Sequence, residues 1–248
     1  MTRTSDSGAS GTGTTSPSSA PSSTTPSSTT SDGTLPRWGS ITEPATVITN
    51  IVLAGLAFVL GARVVYGAAA NGSASASFFG LGMLATAVAA AFGAAAHGID
   101  PGTDREQRDR CWRASLYTLG FAGAATIASV AFFTARGSVR TAILAAAAVK
   151  LLAYLIGVTR RPEFRVAAAD YGGALAVLLA AALYAMARWH AAGMQWLVAG
   201  VGVSLVAALV QARRIAFHRH FNHNDLFHVI DMVALYLFFR GAALLVDR

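Results

Sequence analysis

Residues 218–246 read HRHFNHNDLFHVIDMVALYLFFRGAALLV, and they join a polar cluster directly to a long apolar run. Four of the six histidines of the chain lie in residues 218–231, beside Asp225 and Asp231. A helix of roughly 20 mostly apolar residues is long enough to cross a hydrocarbon core of about 30 Å. The stretch therefore predicts a membrane-spanning helix that begins with side chains able to bind metals and carry protons.

The composition of the whole chain indicates a membrane protein. Of its 248 residues, 54% are hydrophobic and 12% are charged, whereas a soluble domain carries about 25% charged residues. The net charge of +7 comes from arginines in short loops between apolar runs. That pattern controls topology and is not typical of a nucleic-acid-binding face. Cys111 is the only cysteine, which excludes an intrachain disulfide and CxxC redox chemistry. We expect membrane lipids as partners and no nucleic acid.

Residues 1–36 differ in composition from the rest of the chain. Ser, Thr, Pro and Gly dominate them, and no apolar residue recurs with a regular period. Such a segment cannot bury enough surface to offset the entropy of ordering. It also lacks the apolar region of a secretory signal. The sequence predicts a disordered tail over 1–36 and a transmembrane domain over 37–248.

The apolar runs of this domain predict an all-α fold, a polytopic seven-helix transmembrane bundle. Arginines concentrate in the loops after the second, fourth and sixth spans, on the same side as the N-terminus. Because positive residues accumulate in cytoplasmic loops, we expect a multi-pass protein of the cell membrane with a cytoplasmic N-terminus and an outside C-terminus. The predicted spans are 44–66, 78–98, 114–135, 139–158, 166–187, 195–212 and 226–246.

Polar side chains of three separate spans are predicted to meet near the cytoplasmic boundary. Polar groups within spans are costly and therefore informative. Pro44 suits the first turn of the first span, so Glu43 or Thr42 is expected to be its N-cap. The set comprises Glu43 and Asn50 from the first span, His97 and Asp100 from the second, and Asn224, Asp225, His228 and Asp231 from the seventh.

Histidines and carboxylates at matched depth predict a metal site, because imidazole and carboxylate ligands together suit Zn²⁺. We expect His97 and His228 to share one zinc ion on facing ends of the second and seventh spans. The third ligand is open between His223 and Asp225, and Asn224 is a weak candidate because a neutral amide is a poor ligand for zinc. The alternative is a hydrogen-bonded cluster of histidine and aspartate without metal.

Acidic side chains near the two histidines predict supporting roles. Asp100 lies one turn from His97, and Asp231 lies one turn from His228. Such acids orient imidazoles and raise their basicity as ligands. If zinc activates a water molecule for hydrolysis, then Asp100, Asp225 or Asp231 is expected to be the general base.

Three short motifs resemble the superfamily that includes alkaline ceramidases and adiponectin-receptor-like proteins. NDLFHV resembles the seventh-helix HxxxH motif, TEPATVITN resembles the first-helix segment of the ceramidases, and FGAAAHG resembles the second-helix segment that supplies a zinc histidine. The resemblance implies a membrane-embedded zinc site with His97 and His228 as ligands. It also implies Glu43 and Asn50 as first-helix partners, and hydrolysis of a lipid amide or ester.

The chain departs from these motifs at two positions. Asn224 stands where the family has the first histidine of HxxxH, although His223 precedes it, and Gly93 stands where the family has serine. Both departures favour the alternative function, a non-catalytic membrane sensor or scaffold of the same fold. The density of acids and histidines favours the hydrolase.

Two charges lie within predicted spans four and five. Lys150 is expected about 12 Å from the end of its helix and Asp170 about 6 Å from the end of its own, at ~1.5 Å per residue. A lysine side chain can extend toward the interface, and an unpaired charge at this depth is costly. The sequence predicts an ion pair, with Lys150 reaching the headgroups alone as the alternative. A retinal Schiff base is excluded because no lysine lies in the last span.

Overall fold

Seven helices connected by short loops make up most of the described chain. The structure is a computed structural model and describes residues 37–38, 41–218 and 221–248. The predicted disordered tail over 1–36 lies outside these residues. The strands β1 (Arg37–Trp38) and β2 (Ile41–Thr42) form an antiparallel pair. The helices are α1 (Pro44–Asn71), α2 (Ala74–Gly98), α3 (Arg105–Thr134), α4 (Gly137–Arg160), α5 (Phe164–Trp189), α6 (Met194–Arg213) and α7 (His223–Ala242).

The helix boundaries follow local capping chemistry more closely than the apolar runs do. Helix α3 begins at Arg105, before the predicted span at 114, because the Asp104 side chain accepts a hydrogen bond from the backbone N–H of Gln107. Helix α7 begins at His223 because Asn222 and Asp225 form a capping box. A side chain that satisfies the free N–H groups of a first turn fixes where a helix begins.

Six of the helices form a closed ring in the order α1, α2, α3, α5, α6, α7, and α1 contacts α7 to close it. Helix α4 packs mainly against α3 and only slightly against α5. Only Ala147, Tyr154 and Val158 of α4 are buried. The helix therefore lies at the edge of the bundle.

Small residues allow a close contact between α1 and α2. A Cβ atom added to Gly80 would lie 3.0 Å from the carbonyl oxygen of Gly61 and 2.7 Å from Val65 Cγ2. Helices in lipid approach through such residues because lipid supplies no hydrophobic force for their association. The close contact fixes the ends of α1 and α2 relative to each other, and both ends contribute to the site described below.

The outer surface of the bundle is apolar. Large hydrophobic side chains such as Phe58, Val149, Leu152 and Leu205 are more than half exposed. Of the seven helices that the structure describes, α1 to α6 are long and apolar enough to cross a membrane by length and composition. The chain therefore has the features of a multi-pass helical membrane protein. Helix α7 falls outside that set, and its 20 residues include three charged side chains, Asp225, Asp231 and Arg240.

Candidate functional site

The structure brings together polar side chains from α1, α2 and α7 at one end of the bundle. This α1–α2–α7 cluster comprises Glu43, Thr49, His97, Asp225 and His228. It lies where α1 and α7 begin and α2 ends. The predicted meeting of these three helices is present, with Thr49 as an additional member.

A hydrogen bond between Glu43 and His97 links the start of α1 to the end of α2. The Nδ1 atom of His97 lies 3.1 Å from Oε2 of Glu43, and both side chains are largely buried. Glu43 occupies the N-cap position, but its side chain makes no capping hydrogen bond. The carboxylate binds the imidazole instead of the helix end.

The backbone of Glu43 is strained in a way that supports this contact. Its φ of 47° and ψ of 54° lie in the left-handed region, which costs a non-glycine residue roughly 1–2 kcal/mol. The hydrogen bond from His97 holds the pKa of the Glu43 carboxyl below its usual value and outweighs the opposing effect of partial burial. The positive charges of Arg108 and His223 act in the same direction as the hydrogen bond.

Two further contacts position His97. The Thr42 hydroxyl donates a hydrogen bond to the backbone oxygen of His97 over 2.7 Å. The Trp112 ring of α3 meets the imidazole edge-on, with 6.4 Å between ring centroids. The histidine is therefore fixed through its backbone, its Nδ1 atom and one edge of its ring.

Thr49 performs for His228 the role that Glu43 performs for His97. The Thr49 hydroxyl lies 3.1 Å from His228 Nδ1 and 3.2 Å from the backbone oxygen of Thr46, to which it donates. With its proton given to that oxygen, the hydroxyl can accept a hydrogen bond from the Nδ1–H of His228. This arrangement leaves the lone pair of the imidazole on Nε2.

Asp225 is a structural cap for α7. The carboxylate is fully buried, and its Oδ2 atom accepts a hydrogen bond from the backbone N–H of Asn222 over 2.7 Å. Its Oδ1 atom lies 3.5 Å from the Thr49 hydroxyl, which is long for a hydrogen bond. Because the first turn of α7 uses this carboxylate, Asp225 is poorly placed to act as a general base.

The predicted supporting amides are engaged within the bundle. Asn50 donates from Nδ2 to the backbone oxygen of Thr46 over 3.0 Å. Asn224 accepts from Gln211 Nε2 over 2.8 Å. A Cβ atom at Gly93 would lie 3.1 Å from Asn50 Oδ1, so the glycine at this position makes room for the Asn50 amide.

The Nδ1 atoms of His97 and His228 contact Glu43 and Thr49 and not the predicted aspartates. The Asp100 Oδ1 atom accepts a hydrogen bond from the backbone N–H of Gly102 in the loop after α2, and Glu43 occupies the place beside His97. Asp231 lies three residues beyond His228 on α7 and is only partly exposed. The partner of His228 Nδ1 is Thr49, a hydroxyl rather than a carboxylate.

The predicted zinc ligands do not form a three-ligand group in the described part of the chain. Across residues 37–38, 41–218 and 221–248, no three His, Cys, Asp or Glu side chains are arranged to hold a metal ion. A catalytic zinc site normally takes three protein ligands and one water. His97 and His228 are accompanied by Glu43 and Thr49, and His223 is the first residue of α7. The described residues therefore do not supply the set of three protein ligands that a catalytic zinc ion normally takes.

A cavity opens beside His97, between the end of α2 and the start of α3. Its volume is about 320 Å³. The Trp112 indole lies at its wall and donates from Nε1 to the backbone oxygen of Pro162 over 2.8 Å. The sequence analysis missed Trp112, although an aromatic residue at the end of a span is typical of a membrane interface. The lining residues are Ala96, His97, Arg108, Asp109, Trp112, Arg113 and Pro162.

Lys150 of α4 and Asp170 of α5 lie side by side. The Nζ atom is 2.7 Å from Oδ1, and the Asp170 side chain is 9% exposed. The two opposite charges form an ion pair, and Oδ2 has no hydrogen-bond partner among the described residues. Gly123 of α3 faces the pair, and a Cβ atom there would lie 3.2 Å from Oδ2.

Comparison with known proteins places the chain in a family. No curated protein and no solved structure matches it. The profile of a family of unknown function, DUF6962, matches residues 45–247. That match includes nearly all of α1 and the whole of the six helices that follow. Because it covers most of the chain, the protein belongs to this family of unknown function, DUF6962.

Proposed function

We propose that the protein is a non-catalytic membrane sensor or scaffold with the seven-helix architecture of the ceramidase-like and adiponectin-receptor-like proteins. One observation carries the proposal: protein partners already engage the candidate ligands of the α1–α2–α7 cluster. Glu43 pairs with His97, Thr49 contacts His228, and Asp225 caps α7. A cluster of this kind ties three helices together without requiring a reaction.

We further propose that α7 is a seventh span. Its 20 residues give a length of about 30 Å at 1.5 Å per residue, which is enough to cross a membrane. Its charges are placed where a span tolerates them. Asp225 lies in the first turn, Asp231 is only partly exposed, and Arg240 lies in the last turn over the Trp196 ring.

The metal content of the purified protein tests the main proposal. Elemental analysis of detergent-purified protein is expected to give well below one zinc per chain, with no difference between the wild type and His97→Ala. Incubation with lipid amides and esters is expected to yield no product above a heat-denatured control. About one zinc per chain, lost in both His97→Ala and His228→Ala, would overturn this proposal.

The second candidate is a zinc-dependent hydrolase of a lipid amide or ester, and one feature of the two histidines favours it. Both imidazoles have Nδ1 engaged, while Nε2 of each makes no hydrogen bond with any residue that the structure describes. Proteins orient metal-ligating histidines by this type of contact. His97 and His228 would then hold the metal, which would supply an activated water, and a third ligand would still be required.

The two candidates are separated by pairing metal content with turnover. The hydrolase predicts that lipid turnover and zinc content fall together in His97→Ala and in His228→Ala. Asn224→Ala is the matched control on α7, since Asn224 bonds to Gln211 on α6 and not to either histidine. The control variant should leave both quantities at the wild-type level.

A further inference from the structure

We propose that the cavity between the end of α2 and the start of α3 binds a phosphate group, carried by a lipid headgroup or by a soluble phosphate ester. The inference goes beyond the proposed function and holds whether or not His97 and His228 bind a metal. The cavity of about 320 Å³ lies at the lower end of the roughly 300–1,000 Å³ typical of small-ligand sites. A phosphate-sized group therefore suits it better than a whole lipid.

The side chains that line the cavity favour an anion. Arg108 and Arg113 contribute two guanidinium groups, and Asp109 is the one carboxylate among the lining residues. Arg105, outside the lining, lies 3.8 Å from Asp109 and offsets its charge. His97 is already paired with Glu43. The cavity thus has an excess of positive charge.

Both arginines retain hydrogen-bonding capacity. Arg108 Nη1 is 3.9 Å from the Asp109 carboxylate, beyond the range of a hydrogen bond. Arg113 Nη1 donates to the backbone oxygen of Thr159 at 3.5 Å, the long limit for such a contact. A guanidinium carries five N–H donors in a planar fork that matches the oxygens of a phosphate. Two such groups line the same cavity and supply donors for a phosphate.

The position of the cavity in the bundle agrees with a headgroup ligand. It lies where α2 ends and α3 begins, and Trp112 at its wall is the kind of residue found at membrane interfaces. The loop between α4 and α5 adds Arg160, Arg161 and Arg165 at the same end, because α3 begins and α4 ends there. Clustered arginines attract anionic lipid surfaces.

Binding of defined probes to the purified full-length protein tests the proposal. The probes are a short-chain phosphatidic acid, the diacylglycerol with the same chains, glycerol phosphate and inorganic phosphate. We expect the phosphatidic acid to raise the Tm of the wild type in detergent, and the diacylglycerol, which lacks the phosphate, to leave it unchanged. If glycerol phosphate or inorganic phosphate also raises the Tm, the cavity can take its phosphate group from a soluble ester as well as from a lipid headgroup.

Variants of the lining arginines assign the binding to this cavity. The double variant Arg108→Gln, Arg113→Gln should weaken apparent affinity for the bound phosphate probe at least tenfold, and the Arg108→Lys, Arg113→Lys variant should retain part of it. Arg110→Gln is the matched control, because Arg110 is exposed, pairs with Glu106 and does not line the cavity. The Tm without probe shows whether each variant folds. No response to any phosphate probe, or wild-type affinity in the double glutamine variant, would overturn the proposal.

Discussion

Single residues decide the chemistry of the α1–α2–α7 cluster, and Glu43 is the clearest case. Its position before Pro44 is typical of a helix cap, yet its carboxylate binds His97. A left-handed backbone at this residue turns the side chain away from the helix end. The hydrogen bond between this carboxylate and the His97 imidazole offsets the free-energy cost of the left-handed backbone at Glu43.

Replacing Glu43 by Gln should destabilise the protein. The neutral amide loses a charge-assisted hydrogen bond in a largely buried position, which costs roughly 1.5–3 kcal/mol. Thermal unfolding in detergent would measure the loss. Glu106→Gln is the control, because Glu106 forms an exposed pair with Arg110, and exposed pairs contribute about 0–1 kcal/mol.

The stabilisation by Glu43 should depend on pH in a defined direction. The pKa of this carboxyl is below its usual value of 4.5 in the folded protein. The contribution of the ionised Glu43 carboxylate to the free energy of unfolding is therefore complete above pH 4.5. It is lost as the pH falls through the lowered pKa of this carboxyl in the folded protein. The difference in Tm between wild type and Glu43→Gln should shrink as the pH falls below 4.5. A difference that grows on acidification would contradict the assignment.

Gly93 is the second residue with a local role, because the amide of Asn50 occupies the space beside it. Gly93→Ser should destabilise the protein by about 1–3 kcal/mol, the usual cost of overpacking, since its Cβ would lie 3.1 Å from Asn50 Oδ1. The double variant Gly93→Ser, Asn50→Ala should recover part of the loss in thermal unfolding. Gly55→Ala has open space around it and should be neutral. Equal losses in the single and double variants would argue against this contact.

At the scale of helices, the ion pair between Lys150 and Asp170 links α4 to α5. Helix α4 contacts α5 only slightly, and few of its side chains are buried. Tyr154 adds a second link, since its hydroxyl donates to the backbone oxygen of Leu116 in α3. A further contact joins the hydroxyls of Thr159 in α4 and Tyr117 in α3 over 2.9 Å, and together these polar contacts fix the rotation of α4 against the ring.

Removing one charge of that pair should cost more than removing both. Lys150→Met leaves Asp170 buried and unpaired, and breaking a buried pair in this way costs about 3–5 kcal/mol. Since Lys150 is 28% exposed, the lower end of that range is expected. The double variant Lys150→Met, Asp170→Asn should regain most of the loss in thermal unfolding. Purely additive losses in this double-mutant cycle would show that the two side chains do not interact.

At the scale of the whole molecule, the open question is the direction of the bundle in the membrane. The arginine-rich loops after α2, α4 and α6 lie at the end that also holds the α1–α2–α7 cluster. Positive loops remain in the cytoplasm, so we expect the cluster to face the cytoplasm and the C-terminus to lie outside.

Reporter fusions test this orientation and the seventh span together. An enzyme active only outside the cytoplasm should be active when fused after Arg248 and inactive in the loop at 101–103. A reporter active only in the cytoplasm should give the reverse pattern. A cytoplasmic C-terminus with the same loop result would mean that α7 does not cross the membrane.

The sequence was sufficient for the architecture, because span length and hydropathy are properties of contiguous residues. Each predicted span overlaps one of the seven helices, of which α1 to α6 are long and apolar enough to cross a membrane, and the start of α3 differs because a side-chain cap at Asp104 sets it. The alignment of the starts of α1 and α7 with the end of α2 also followed from the sequence, because alternating spans place those ends on one side.

Only the tertiary structure decided which partner each polar side chain takes. Glu43 rather than Asp100 lies beside His97, and Thr49 rather than Asp231 lies beside His228. Spacing along one helix shows which residues share a face, but the choice between a near neighbour and a residue of another helix depends on how the helices rotate and approach. In this protein, glycines such as Gly61 and Gly80 set how closely α1 and α2 approach each other. The left-handed backbone at Glu43 then brings its carboxylate beside His97.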